Sequence, residues 1–185
     1  MKQYVRVSDI LAQLQDFSHI NPTVLDAKAK LGTNVHEAIG EFVQGDFPVL
    51  ESEKAVGYFR SYEVWHRENK PVYHRMEQRL FDDKLMITGQ MDAVVTVGDK
   101  QHMLIDFKTS YKPNPEIWAL QAHYYWYLCK VNSIELWPQM QWINLQKGGG
   151  APKVLTFDFS EFTLQRCIDM ANKFWEDRDN AKDVE

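Results

Sequence analysis

Positive charge, cysteine and long apolar runs are scarce in this chain, and each shortage closes off a class of function. With 21 Lys and Arg against 26 Asp and Glu, the formal net charge is −5. A protein that coats nucleic acid through its overall field needs the opposite balance. The two cysteines, Cys129 and Cys167, are too few for a four-cysteine zinc or iron–sulfur site and read as reduced core residues. No stretch approaches the roughly 18 apolar residues of a membrane span. The start, Met1-Lys2-Gln3-Tyr4-Val5-Arg6, lacks a signal-peptide core, so a cytoplasmic protein is expected. Two familiar motifs are incomplete. His36-Glu37 opens like a zinc-protease helix, but Gly40 stands where the second histidine belongs. Gly148-Gly149-Gly150 lacks the Gly-Lys-Ser/Thr ending of a phosphate loop and reads as a hairpin turn.

What is present fits one compact domain over residues 1–185, with 44% hydrophobic residues and six tryptophans. Residues 1–70 read as mainly helical. Ser8 is a fair cap for a helix over 9–17, Pro22 opens a longer helix carrying Val35, Ile39 and Phe42, and 52–69 forms another. From Val72 the pattern turns to strands, with a meander over 72–81, 85–97 and 101–109. A helix over 116–131, strands over 136–146 and 152–159, and an amphipathic helix over 160–178 capped by Ser160 complete the chain, leaving the last eight or so residues loose. The sheet core thus spans 72–159, in the order α-α-β-β-β-α-β-β-α, an α/β (α+β) class with a central mixed sheet flanked by helices.

The meander's second hairpin carries the chemistry. Its third strand holds Leu104-Ile105-Asp106-Phe107-Lys108-Thr109-Ser110, and side-chain alternation puts Asp106 and Lys108 on one face. A three-residue turn, Gly98-Asp99-Lys100, would pair Val97 with Gln101 and set Asp92 across from Asp106, with Cβ atoms about 4.5–5.5 Å apart. A slip of one residue would put Asp92 across from Phe107 and on the wrong face. Two facing carboxylates repel and raise one pKa unless a cation sits between them. Asp92 and Asp106 are hard ligands suited to Mg2+ or Mn2+, and the Phe107 carbonyl is placed to add a third oxygen. Lys108 would orient the attacking water or offset charge on a phosphate. The local pattern fits equally a structural Asp–Lys pair at a sheet rim. Basic segments at 28–30, 75–79 and 108–112 could meet phosphates or simply be solvated surface.

Five separated pieces, Gly32-Thr33-Asn34-Val35-His36, Glu77, Gly89-Gln90-Met91-Asp92, Asp106-Phe107-Lys108-Thr109-Ser110 and Gln121 with Tyr125, resemble the PD-(D/E)XK nuclease superfamily, in its RecB-like and phage-exonuclease branch. The resemblance covers about residues 30–130. It implies a restriction-endonuclease-like core with Asp92, Asp106 and Lys108 as its catalytic centre, His36 as a metal ligand from a neighbouring helix, and Glu77 as an assisting acid. It also implies Gln121 and Tyr125 as a Gln-x-x-x-Tyr pair on one helical face. The function implied is Mg2+- or Mn2+-dependent DNA hydrolysis without an iron–sulfur cluster, most simply an exonuclease of phage or prophage recombination type. Its substrate would be linear duplex or single-stranded ends, with room for a recombination partner protein or a homo-oligomer. The departures are Asp106 in place of Glu, no proline before Asp92, and Glu41 five residues after His36, which is assigned no role. Two rivals stand beside this: a structure-specific endonuclease of the same superfamily, and a non-catalytic nucleic-acid-binding or assembly module that keeps the fold. Relieving the repulsion with Asp92→Asn is expected to raise metal-free stability.

Overall fold

The computed structural model describes residues 2–16 and 18–182, and Phe17 and residues 183–185, which the sequence reading placed in a helix end and a loose tail, lie outside them. Its elements run β1 (Val5–Arg6), α1 (Val7–Ala12), α2 (Pro22–Gln44), α3 (Glu53–Asn69), β2 (Val72–Asp82), β3 (Ile87–Val97), β4 (Lys100–Lys108), α4 (Pro115–Val131), β5 (Gln139–Asn144), β6 (Lys153–Asp158) and α5 (Glu161–Lys182). Against the expected order α-α-β-β-β-α-β-β-α the structure has two additions ahead of the meander, the short β1 and a third helix, since the segments read as helical over 9–17, from Pro22 and over 52–69 form three separate helices. Two residues carry no periodicity, so a strand that length leaves no sequence signal. Ser8 lies inside α1 rather than capping it.

The main helices begin where local chemistry starts them. Asn21 accepts the Thr23 amide ahead of Pro22, Ser52 accepts the Ala55 amide at 3.2 Å, and Asn114 accepts the Ile117 amide ahead of Pro115. Gly45, at φ +87, ends α2 in the left-handed conformation that glycine takes without strain. No helix among the described residues is long and apolar enough to cross a membrane.

One six-stranded mixed sheet organises the chain, ordered β1-β3-β4-β5-β6 with β2 on the other edge of β3. Each face has its own core. On one, Ile10 of α1, Tyr124 and Leu128 of α4 and Ala171 of α5 pack on Leu80, Met91, Leu104 and Trp142. On the other, Val35 and Ile39 of α2 and Tyr62 and Trp65 of α3 pack on Ala93, Val95, Ile105 and Phe107. The free cysteines Cys129 and Cys167 are both buried.

Two irregularities place the functional groups. The β3–β4 turn is one residue tighter than expected: Val97 pairs with Lys100, and Gly98, at φ +60, takes the first central position where type II′ turns need glycine. A bulge at Gln101 and His102, the latter at φ +56, then absorbs the difference and restores the expected register, Val95 with Met103 and Ala93 with Ile105. The second irregularity splits the sheet. β2 pairs along the length of β3, from Val72↔Thr96 to Asp82↔Ile87. On the other edge β1 takes Ile87 and Thr88, β4 takes the stretch from Ala93, and residues 89–92 pair with neither. Asp92 is the last residue of that gap.

Candidate active site

Strict alternation fails where Asp92 sits. Met91 and Val94, an odd number of residues apart, pack in the same α4-side core. On β2, Leu80 faces α4 while Met76, four residues away, faces α2 and α3. Between them Glu77 has φ +47, a conformation that a non-glycine residue rarely adopts and that marks local strain. The switch turns the Glu77 and Asp92 carboxylates toward α2, while Asp106 and Lys108 keep to the α4 side.

His36 of α2 meets them. Its Nε2–H donates to the Phe107 carbonyl at 2.9 Å, which leaves Nδ1 facing Asp92 Oδ1 at 3.3 Å and Glu77 Oε1 at 3.7 Å. Asp92 Oδ2 accepts the Phe107 amide at 2.6 Å, so the carboxylate plugs the gap in the ladder. Phe107 is held from behind, its ring edge-on to Tyr62 and Trp65 at 5.3 and 5.6 Å. Burying an aromatic ring there stabilises the strand by roughly 1.5–3 kcal/mol, so the backbone that serves both His36 and Asp92 is anchored.

Across the split, Asp106 is 2% exposed and forms an ion pair with Lys108 Nζ at 2.5 Å. Lys108 also donates to Gln121 Oε1 at 2.9 Å, and Gln121 Nε2 donates to the Tyr125 hydroxyl at 3.1 Å. The helical i, i+4 pair thus forms a tether for the lysine. Tyr125 lies over Gly89, where a Cβ would come within 2.7 Å of the ring, so the first residue of the gap must be small.

Burial and charge act differently on the two acids. At Asp92 burial works to raise the carboxyl, but the His36 ring and Lys108 outweigh it and hold it below its ordinary range. At Asp106 burial is joined by the charge of Asp92, and the carboxyl is pushed up to about 7 despite Lys108. Burial would lower His36, yet Asp92, Glu77 and Asp106 together raise the imidazole well above its usual 6.5. The protonated ring therefore serves as the cation among the carboxylates. Burial raises the Tyr125 hydroxyl, so it stays a neutral donor and acceptor.

All the expected residues converge on this split, but in two groups. His36, Glu77 and Asp92 offer donor atoms within 4.8 Å of one another, a spacing that can hold a metal ion; Asp106 stands outside that trio. The Phe107 carbonyl, expected to face an ion, accepts from His36. Gln90 and Arg79 add an arm that sequence reasoning left unassigned. Arg79 donates to Gln90 Oε1 at 2.9 Å, and Gln90 Nε2 donates to Glu77 Oε2 at 2.7 Å, leaving Oε1 for the His36 side. The Arg79↔Gln90 register brings them together, and no local motif announces it. Asn34, within the quoted helical motif, clamps the following loop through the Val49 carbonyl and Glu51 amide.

An open groove of about 720 Å³ leads to the trio, with Gly32, His36 and Gly40 of α2 along one wall and Glu77, Gln90 and Asp92 along the other. A Cβ at Gly40 would meet nothing within 4 Å, so the missing side chain keeps the groove open rather than serving the packing.

No protein-family model and no curated protein matches the chain. Among solved structures it aligns with an alkaline exonuclease from Laribacter hongkongensis at TM-score 0.54 and 10% identity, over 98% of this chain and 90% of that one. It also aligns with a phage-related exonuclease from Haemophilus somnus 129PT at TM-score 0.49 and 11% identity, over 98% and 97% of the two chains. The mixed sheet that carries Asp92 and Lys108, with α2 and its His36 packed against it, has the fold of the Laribacter exonuclease.

Proposed function

We propose that this chain is a divalent-metal-dependent deoxyribonuclease, an exonuclease of the phage recombination type that hydrolyses phosphodiesters from DNA ends. The observation that supports it is the split in the sheet, with a ligand trio of His36, Glu77 and Asp92 on one side and an Asp106–Lys108 pair on the other. The groove wall is itself acidic, carrying Glu37, Glu41, Glu77 and Asp92. A polyanion enters such a groove only with a cation, and carboxylates with one imidazole suit Mg2+ or Mn2+.

In this reading His36, Glu77 and Asp92 would hold the ion, with Asp106 outside the trio and the Phe107 carbonyl holding the His36 ring. When bound, a divalent ion supplies a hydroxide near neutral pH and offsets charge at phosphorus. His36 must arrive neutral at Nδ1, so its Nε2–H bond to Phe107 selects the competent tautomer. Gln90 orients Glu77. Lys108, steadied by Gln121 and Tyr125, holds the attacking water or meets the phosphate with its ammonium. Mg2+ as the physiological ion, the cytoplasm as the compartment, a single catalytic domain, and DNA recombination or repair as the process complete the reading.

The purified chain incubated with linear, closed-circular and single-stranded DNA in Mg2+ or Mn2+ tests this. Loss of linear DNA with circles intact is the expected result. Nicking of circles would make it an endonuclease, and silence on all three substrates with both ions would overturn the enzyme reading.

A further inference from the structure

An ammonium has three N–H donors. Lys108 directs two of them to Gln121 Oε1 and Asp106 Oδ2. On the neighbouring parallel strand β5, Asn144 stands across from Lys108 and Trp142 across from Asp106. Both are buried, at 2% and 0% exposure, and the Trp142 ring lies 5.9 Å from Lys108 Nζ. Asn144 Oδ1 and Trp142 Nε1 are buried and have no hydrogen-bond partner among the described residues, and Asp106 Oδ2 is buried with only the Lys108 ammonium beside it. Unpartnered buried polar atoms are uncommon, and two of them two residues apart on one strand, across from an ion-paired lysine and aspartate, form a cluster rather than scatter. Their inventory is also complementary. Two acceptors, one indole donor and the third ammonium proton match the two donors and two acceptors of a single water molecule.

We propose that Asn144 is a positioning residue for Lys108: with Trp142 and Asp106 it binds a buried water that accepts from the ammonium and donates to Asn144 Oδ1. Lys108 is then fixed from β5 as Gln121 fixes it from α4. The kinetic consequence rests on the nuclease reading; the placement of the ammonium does not.

Asn144→Leu removes the acceptor at similar volume, and Asn144→Ser returns an oxygen. The first readout is the Lys108 ammonium proton–nitrogen resonance in 15N-labelled protein, assigned by its disappearance in Lys108→Met. Asn144→Leu is expected to broaden that resonance away and lower kcat on linear DNA by about 10–100-fold. KM should stay within about twofold, since the metal trio and the groove walls are untouched. The melting temperature should fall by a few degrees at most, because the loss is one water-mediated contact with side-chain volume kept. Asn144→Ser is expected to restore resonance and turnover together. An unchanged ammonium resonance in Asn144→Leu would overturn the proposal, and so would activity lost only in step with melting and not regained by serine. If the wild-type chain cleaves no DNA, the nuclease reading fails while the resonance still decides the placement.

Discussion

The two sides of the split sheet solve opposite problems with similar residues. Facing α4, a buried carboxylate has a built-in cation: Asp106 is paired with Lys108, which is tethered to Gln121 and Tyr125. Facing α2, Asp92 and Glu77 converge on a histidine whose charge can leave. An ammonium suits contact with an anionic phosphate or its attacking water. A removable imidazolium suits a place where an ion must enter, because metal binding displaces the proton. Under the proposed reading, one side offers a lysine and the other a histidine whose proton a metal would displace.

The strongest way to separate the two sides is Lys108→Ala. It should lower hydrolysis by about 10²–10³-fold or more while the Mn2+ midpoint barely moves, as measured by single-turnover cleavage beside a metal titration. Turnover at the wild-type level would remove Lys108 from the chemistry. On the α2 side, Gln90→Leu frees Glu77 from its Arg79 arm and should weaken Mn2+ binding by about tenfold, read by calorimetric titration. An unchanged affinity would show that the Arg79–Gln90 arm does not set how Glu77 meets the ion.

Stability should divide the two acids. The sequence alone nominated Asp92→Asn as the stabilising change. The structure reverses this, because the folded state favours the charged form of Asp92 and disfavours that of Asp106. In metal-free thermal melts Asp106→Asn should therefore rise and Asp92→Asn fall, by about 2–4 °C for each kcal/mol involved. The reverse order would contradict the charge balance described.

The smallest effect is on pH. Asp106, raised to about 7, holds its proton in the folded state over the range where the unfolded chain has already lost it, so its contribution declines from about pH 4 to 7. His36, raised above 6.5, contributes fully below that value and is lost as pH passes its folded value. Both slopes have one sign. Metal-free melting temperature should fall from pH 5 to 8, with saturating Mn2+ opposing the fall at the upper end. A rising profile would show that neither group behaves as described.

Much of the site could be read from the chain because its chemistry is local. Asp106 and Lys108 are two apart on one strand, and Gln121 and Tyr125 are four apart on one helix. Asp92 was found through register, and there two departures offset each other: the turn is one residue shorter than expected, and the bulge at His102 restores the pairing. What could not be read was the switch of alternation at Glu77. It depends on a left-handed residue in mid-strand, and glutamate at that position gives no warning, as glycine would have. The division of the acids into two groups follows from it. The Arg79–Gln90 arm and the place of Asn144 beside Lys108 depend on pairing between strands, which no short motif encodes.

Anomalous diffraction from crystals soaked in Mn2+ tests the central claim most directly. A manganese peak in contact with Asp92 and the His36 Nδ1 side of the split is expected, and it should be lost in Asp92→Asn. Manganese bound only elsewhere, or no peak at saturating concentration, would contradict it.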